Sequence, residues 1–345
     1  MLYFDHNATT PLLPEAREAW LKAAEEHIGN PSSPHRLGSR ADTALEHARD
    51  TLAGLLACNP GDIVWTSGAT EANNMVLHHF ACTLAPEAEI WVSAIEHPCV
   101  LEAARYYASD RCRLMPVTRS GVLDLDWLKD NLARRRPGLV ALMAANNETG
   151  VLQPWREALD LCRDRGVPLF CDAVQWLGKL PAKGLGRCDY VSGCAHKFGG
   201  PKGVGFLKCA GKCQVEPLLC GGPQESGRRA GTENVPGVLG MLAALAARER
   251  MLEANRHLSR LAWRKHFEKA FLAQLPGAEI VARDAERLWN TVLAVMPDLQ
   301  CQQRWVVKLD RFGCAVSTGS ACASGKEQAS HVLTAMGYGS GEAGR

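Results

Sequence analysis

The sequence predicts an α/β protein built on a mainly parallel sheet wrapped by helices. Three observations carry that expectation. Short apolar runs alternate with amphipathic stretches through the first two thirds of the chain, each run ends in polar or glycine-rich residues, and the pattern changes character after Met251.

Residues 15–26 and 40–56 repeat apolar positions at helical spacing. Residues 63–66 (IVWT) are β-branched and aromatic and stop at Ser67-Gly68, which predicts a strand, and 71–83 returns to helical spacing. Further strands are expected at 89–95, 139–145, 168–171, 190–192 and 203–207, with a helix at 155–165. The basic run Arg134 to Arg136 reads as the solvated end of a helix, too short to make a nucleic-acid face. Residues 235–247 are apolar, interrupted by glycines and stopped by Arg248-Glu249-Arg250, which suits a buried helix and is too short for a bilayer. Beyond Met251 come a charged helix to about Gln274, a strand at 291–296, a helix at 302–311, a strand at 314–317 and a loop of small residues. The expected division is a large domain over 15–250 and a smaller α+β domain made of 1–14 and 251–345.

At 345 residues, 46% hydrophobic and 22% charged, the chain can bury a large core, and a formal charge of +2 argues against nucleic acid as a partner. The N-terminus enters a patterned segment at once, with no room for a targeting peptide, so a cytoplasmic protein is expected. Fourteen cysteines spread along the chain, many inside apolar runs, point to reduced thiols. Cys209, Cys213 and Cys220 have no histidine pair at ligand spacing beside them, and no metal is expected.

In parallel sheets ligands bind outside the carboxyl ends of the strands, so the residues after each strand carry the chemistry. After 63–66 the small residues Ser67 to Asn74 open a helix whose free N–H groups suit a phosphate, although an ordinary helix cap would look the same. The run ending at Cys171 delivers Asp172 and Gln175, and the next delivers Lys197 among small residues and beside His196. An aspartate and a lysine at strand ends, downstream of a phosphate loop, are what a protein needs to hold pyridoxal phosphate. A structural ion pair between the two satisfies the same spacing. The string 339–344 matches GxGxxG by letter but follows a helix, which excludes a dinucleotide site.

Nine strings in order carry a resemblance: YFDHNATTP from Tyr3, NPSSPHRLG from Asn30, TSGATEANN from Thr66, EHPCVL from Glu96, NNETG from Asn146, DAVQ, HKFGGPKG, RRAGTENVPG from Arg228 and STGSACASG from Ser317. Over essentially its whole length the chain resembles the cysteine desulfurases of the NifS and IscS kind, within the class V aminotransferase group of fold-type I pyridoxal-phosphate enzymes. The resemblance implies the PLP-dependent transferase fold and pyridoxal 5′-phosphate as cofactor. It makes Lys197 the lysine that carries the cofactor, Asp172 the partner of its pyridine nitrogen and His97 the ring stacked on it. Asn147 and Gln175 would bond its phenolic oxygen. Ala69, Thr70, Cys194, Ala195 and His196 would hold the phosphate, with Thr232 contributed by the second subunit of a homodimer. Cys194 stands where the family usually has a serine, a weaker donor. Asn7 and Asn30 are expected to shape the pocket.

Cys322, in a loop of small residues, is implied to receive sulfur from L-cysteine as a persulfide, leaving L-alanine, for an acceptor protein such as an iron-sulfur scaffold. Rival expectations are a selenocysteine lyase or aminotransferase on the same fold, or an impaired scaffold for sulfur-transfer partners. Family members continue beyond the helix at 331–336 into a strand bearing an arginine for the substrate carboxylate. Because the chain ends at Arg345, that strand is expected to be missing and the small domain truncated.

Overall fold

The computed structural model describes residues 1–211, 215–297, 305–319 and 329–343. Its centre is a seven-stranded sheet built from β2 (Ile63–Thr66), β3 (Ile90–Ser93), β4 (Cys112–Met115), β5 (Leu139–Ala141), β6 (Leu169–Asp172), β7 (Tyr190–Cys194) and β8 (Gly205–Cys209), in the order β2-β8-β7-β6-β5-β3-β4. Strand β8 runs antiparallel to both β2 and β7, so the other six share one direction. Their carboxyl ends therefore lie on one edge, and the segments holding Ala69, His97, Asn147, Asp172 and Lys197 each follow such an end.

The pleat sends alternate side chains to opposite faces, and the central strands are apolar on both. Trp65, Trp91, Val140, Cys171, Val191 and Phe206 meet the helices α1 (Pro14–Glu26), α2 (Arg36–Leu56), α5 (Leu125–Arg134), α6 (Trp155–Arg163) and α7 (Val235–Glu253). Val64, Val92, Ala141, Phe170, Tyr190 and Leu207 meet α3 (Ala69–Thr83) and α4 (Pro98–Ala108) on the other face. The result is a three-layer α/β unit. Its far edge holds a buried ion pair, in which Arg49 binds both oxygens of Glu225 at 3.0 Å while the Trp65 N–H donates to the same carboxylate at 2.9 Å.

Three elements depart from the sequence pattern. The pattern passes over α4 and β4. Strand β4 is the sheet's edge, with Leu114 exposed and Arg113 lying over the rings of Trp91 and Trp127, so it lacks a clean apolar signal. The single helix expected from Met251 to Gln274 is two. Chain α7 runs on to Glu253, Asn255 takes a left-handed φ of 54°, and α8 (Arg256–Gln274) begins there. Beyond α8 lie the short strands β9 (Glu279–Ile280), β10 (Ala294–Val295) and β11 (Cys314–Ala315), with α9 (Trp305–Arg311) before β11 and α10 (His331–Ala335) after it. The N-terminal β1 (Leu2–Tyr3) pairs in parallel with β11, Leu2 opposite Cys314. Among the described residues no helix is long and apolar enough to cross a membrane.

Candidate active site

Asp172 is the last residue of β6 and is buried. Its Oδ2 accepts from Asn73 Nδ2 at 2.8 Å and its Oδ1 from the Val174 N–H at 3.0 Å. Burial pushes its carboxyl up, against the pull of those two donors and of the Lys197 charge. Lys197 lies just beyond β7 in a single 3₁₀ turn and is half-buried. Its Nζ donates to the carbonyls of Asn7 at 2.6 Å and Ala8 at 2.8 Å.

His97 caps α4. Its Nδ1 accepts from the Cys99 N–H at 3.2 Å and sits 2.9 Å from the Cys99 thiol. An accepting Nδ1 places the ring's proton on Nε2. Burial, then the positive charge of Lys197, then His331, hold its pKa down at about 4, so the ring is neutral at physiological pH. Cys99 bridges toward Asp172, because Asn73 Nδ2 reaches its sulfur at 3.1 Å, and burial pushes the thiol up to about 12.

Gln175 is buried in the turn after β6, its Nε2 donating to Asn7 O at 3.0 Å and its Oε1 accepting from Lys179. Asn147 follows β5, and its carbonyl accepts from Asn7 Nδ2 at 3.0 Å while its Oδ1 is buried with no partner. Asn7, expected only to shape the pocket, is thus the hub between three site residues, and Asn290 and Thr291 hold its own side chain.

The phosphate loop is the N-terminus of α3. Ala69 is buried with its N–H facing the Cys194 thiol, which burial drives up to about 11, and Thr70 is exposed at the helix start. Strand β8 makes this approach possible through Gly205, where a side chain would lie 2.6 Å from Gly193 O and 2.8 Å from Gly68 Cα. His196 binds Thr9 Oγ1 through Nδ1 at 3.2 Å, and burial with the charges of Lys197 and Lys202 lowers it to about 4. The Ala195 N–H is taken by Val204 O at 3.1 Å, so its backbone braces the loop and offers no donor. Thr232 is exposed before α7, with Asn30 Nδ2 at 3.5 Å from its Oγ1. Cys322 lies outside the described residues, but the segments on both sides of it are held at this edge. Ser317 Oγ donates to Asp5 at 2.8 Å, and Ser330 Oγ to Glu148 at 2.6 Å.

Lys197, Asp172, His97, Asn147, Gln175, Cys194 and His196 therefore converge on one sheet edge. Asn73, Cys99 and Lys179 were missed by sequence reasoning. Their signals were faint: Asn73 one helical turn beyond Ala69, Cys99 two residues from His97, and Lys179 four from Gln175.

The aminotransferase class-V family model matches residues 2–339. The chain belongs to that family. Among curated members it is 39% identical to a cysteine desulfurase of Klebsiella pneumoniae over 97% of this chain and 84% of that protein. It is 36% identical to the cysteine desulfurase IscS of Dictyoglomus turgidum over 97% of this chain and 85% of that one. Among solved structures, a NifS-like protein from Rickettsia africae superposes with a TM-score of 0.88 at 32% identity, covering 99% of this chain and 91% of that one. The fold and the family expected from the sequence are thereby established.

The residues present fit the family's cofactor. A buried carboxylate with a raised pKa is relieved by a cationic ring nitrogen, and the buried, unpartnered Oδ1 of Asn147 and Oδ1 of Asn73 mark polar groups whose partners are not protein.

Proposed function

We propose that the chain is a pyridoxal-phosphate-dependent cysteine desulfurase that takes sulfur from L-cysteine, leaves L-alanine and carries the sulfur as a persulfide on Cys322. The observation that carries this reading is the convergence of Lys197 Nζ, the buried Asp172 carboxylate and the neutral His97 ring at the carboxyl ends of β7, β6 and β3, on one edge of the sheet. The named relatives and the Ser317 to Gly325 string support the desulfurase assignment over other chemistries of the family.

Lys197 would hold the cofactor, Asp172 its ring nitrogen, Asn147 and Gln175 its phenolic oxygen, and Ala69, Thr70, Cys194 and His196 its phosphate. When bound, pyridoxal 5′-phosphate withdraws electrons from the substrate α-carbon. The free Lys197 Nζ would take the proton from the substrate Cα. His97, neutral and with its proton on Nε2, would cover the cofactor ring without adding a positive charge. The Cys322 thiolate attacks the substrate sulfur, forming the S–S bond while the electron pair of the C–S bond stays with the three-carbon fragment that leaves as alanine. Anchoring of the flanking segments by Asp5 and Glu148 supports delivery of Cys322 to this edge.

The large domain would span 15–250 and the small one 1–14 with 251–345, a division favoured by the pairing of β1 with β11. Thr232, exposed in the single chain, would complete the phosphate site of a homodimer partner. A cytoplasmic enzyme feeding an iron-sulfur scaffold or another sulfur acceptor fits this chemistry. The test is purified protein loaded with cofactor and given cysteine and a reductant. Equal alanine and sulfide are expected, with Cys322→Ala keeping the visible band and losing sulfide. A wild-type protein that binds cofactor and yields no alanine would overturn the assignment.

A further inference from the structure

The segment after β6 turns back on itself. The Leu177 N–H donates to Ala173 O at 3.0 Å and the Lys179 N–H to Trp176 O at 3.0 Å. Gly178 sits in the turn at φ 72°, where a side chain would come within 2.4 Å of Phe198 Cβ, so the turn packs directly against the residue after Lys197. That folding carries Lys179 into the interior, 4% exposed, with its carbonyl held by Trp289 Nε1 at 2.7 Å.

A buried ammonium is costly, and an apolar side chain of the same length would pack there at less expense. No carboxylate pairs with Lys179 among the described ion pairs. The charged and titratable groups facing it are Lys197, Cys194, Arg248 and His6. Burial foremost, then the Lys197 charge, bring it down to about 7. What it does touch is Gln175 Oε1.

We propose that Lys179 is a positioning residue of the site: it fixes the amide of Gln175 so that Nε2 is the end turned toward Asn7 and offered to the cofactor's phenolic oxygen. The inference rests on the cofactor reading above. A protonated lysine has donors only, so the atom facing it is then the amide oxygen. Asn7 O, an acceptor only, favours the same orientation at the other end of the amide but is shared with Lys197 Nζ at 2.6 Å. Without Lys179 the amide keeps that one shared contact and loses the one that pins its Oε1. Lys179 also sets a second cationic group beside Lys197, whose other charged or titratable neighbours are Asp172, His97, His196 and Cys194.

The test compares wild type, Lys179→Met, Gln175→Ala and the double variant in two measurements that need no turnover: equilibrium binding of pyridoxal 5′-phosphate, and the pH at which the visible band of the loaded protein converts. Lys179→Met is expected to weaken cofactor binding about fivefold, the worth of one oriented hydrogen bond. The band should convert about one pH unit higher, because a neighbouring positive charge is gone. In the Gln175→Ala background the same change should leave affinity unaltered, since the lysine acts on affinity through that amide. If Lys179→Met does not fold, Lys179→Gln serves in its place, keeping a donor and losing the charge, so that affinity holds while the band still shifts. Equal affinity and equal band position in wild type and Lys179→Met overturn the proposal, as does full additivity with Gln175→Ala. Failure of the wild type to take up cofactor would instead overturn the site reading itself.

Discussion

Glu225→Gln is a near-isosteric change with a large expected cost. Glu225 is 2% exposed and Arg49 10% exposed at their side chains, and the carboxylate takes two guanidinium hydrogens at 3.0 Å and the Trp65 N–H at 2.9 Å. The amide keeps the volume and one acceptor but removes the charge and turns one of those contacts into a donor facing a donor. Breaking one partner of a buried pair costs roughly 3–5 kcal/mol. Arg49 retains Glu46 at 3.1 Å on its solvent side, where the carboxylate is 55% exposed, so the lower end, about 3 kcal/mol, applies. A domain is stable by about 5–15 kcal/mol, so the variant should fold and unfold at markedly lower urea. Glu225 anchors its own loop through that carboxylate, and the loop, closed by the Gly231 N–H on Gln224 Oε1 at 3.1 Å, precedes Thr232, so cofactor affinity should fall as well. Urea titrations followed by circular dichroism measure the difference. A loss under about 1 kcal/mol with an unchanged slope, the value of a solvent-exposed pair, would refute the reasoning.

Three further outcomes are expected. Gly205→Ala puts a methyl 2.6 Å from Gly193 O, and overpacking of this kind costs about 1–3 kcal/mol and should impair cofactor uptake, read by the visible band of the loaded variant. His97 is held at about 4 against an ordinary 6.5, so between those values the unfolded chain binds more protons than the folded one. Stability of the cofactor-free protein should therefore fall as pH drops through that window, by at most about 3 kcal/mol from this residue, and a His97→Gln variant should show a shallower slope in urea titrations at pH 7 and pH 5. Lys197→Ala should take up no cofactor with a visible band, and an unchanged spectrum would remove the role given to that lysine.

The alternation of strands and helices was legible because each central strand is apolar on both faces and each helix on one, which is a local pattern. So were Lys197, Asp172 and Gln175, since polar residues that follow an apolar run in a parallel sheet fall on its carboxyl edge whatever the strand order, whereas His97 came only from the resemblance carried by EHPCVL. The edge strand β4 and the break at Asn255 were not legible. An edge strand pairs on one side only and tolerates Arg113 and an exposed Leu114, and a left-handed asparagine leaves helical periodicity intact on either side.

What the sequence determined by itself is thus the fold class and the residue types delivered to the site. Only the tertiary structure decided which of them touch. The Asn7 carbonyl meets Lys197 across 190 positions, Asn73 meets Asp172 across 99, and Lys179 turns inward over Gln175 toward the same lysine. Those contacts depend on the strand order that sets β7 beside β6 and brings the N-terminal segment across their ends. Strand order follows from how whole layers bury their faces together, a property of the assembled core that no local stretch of residues carries.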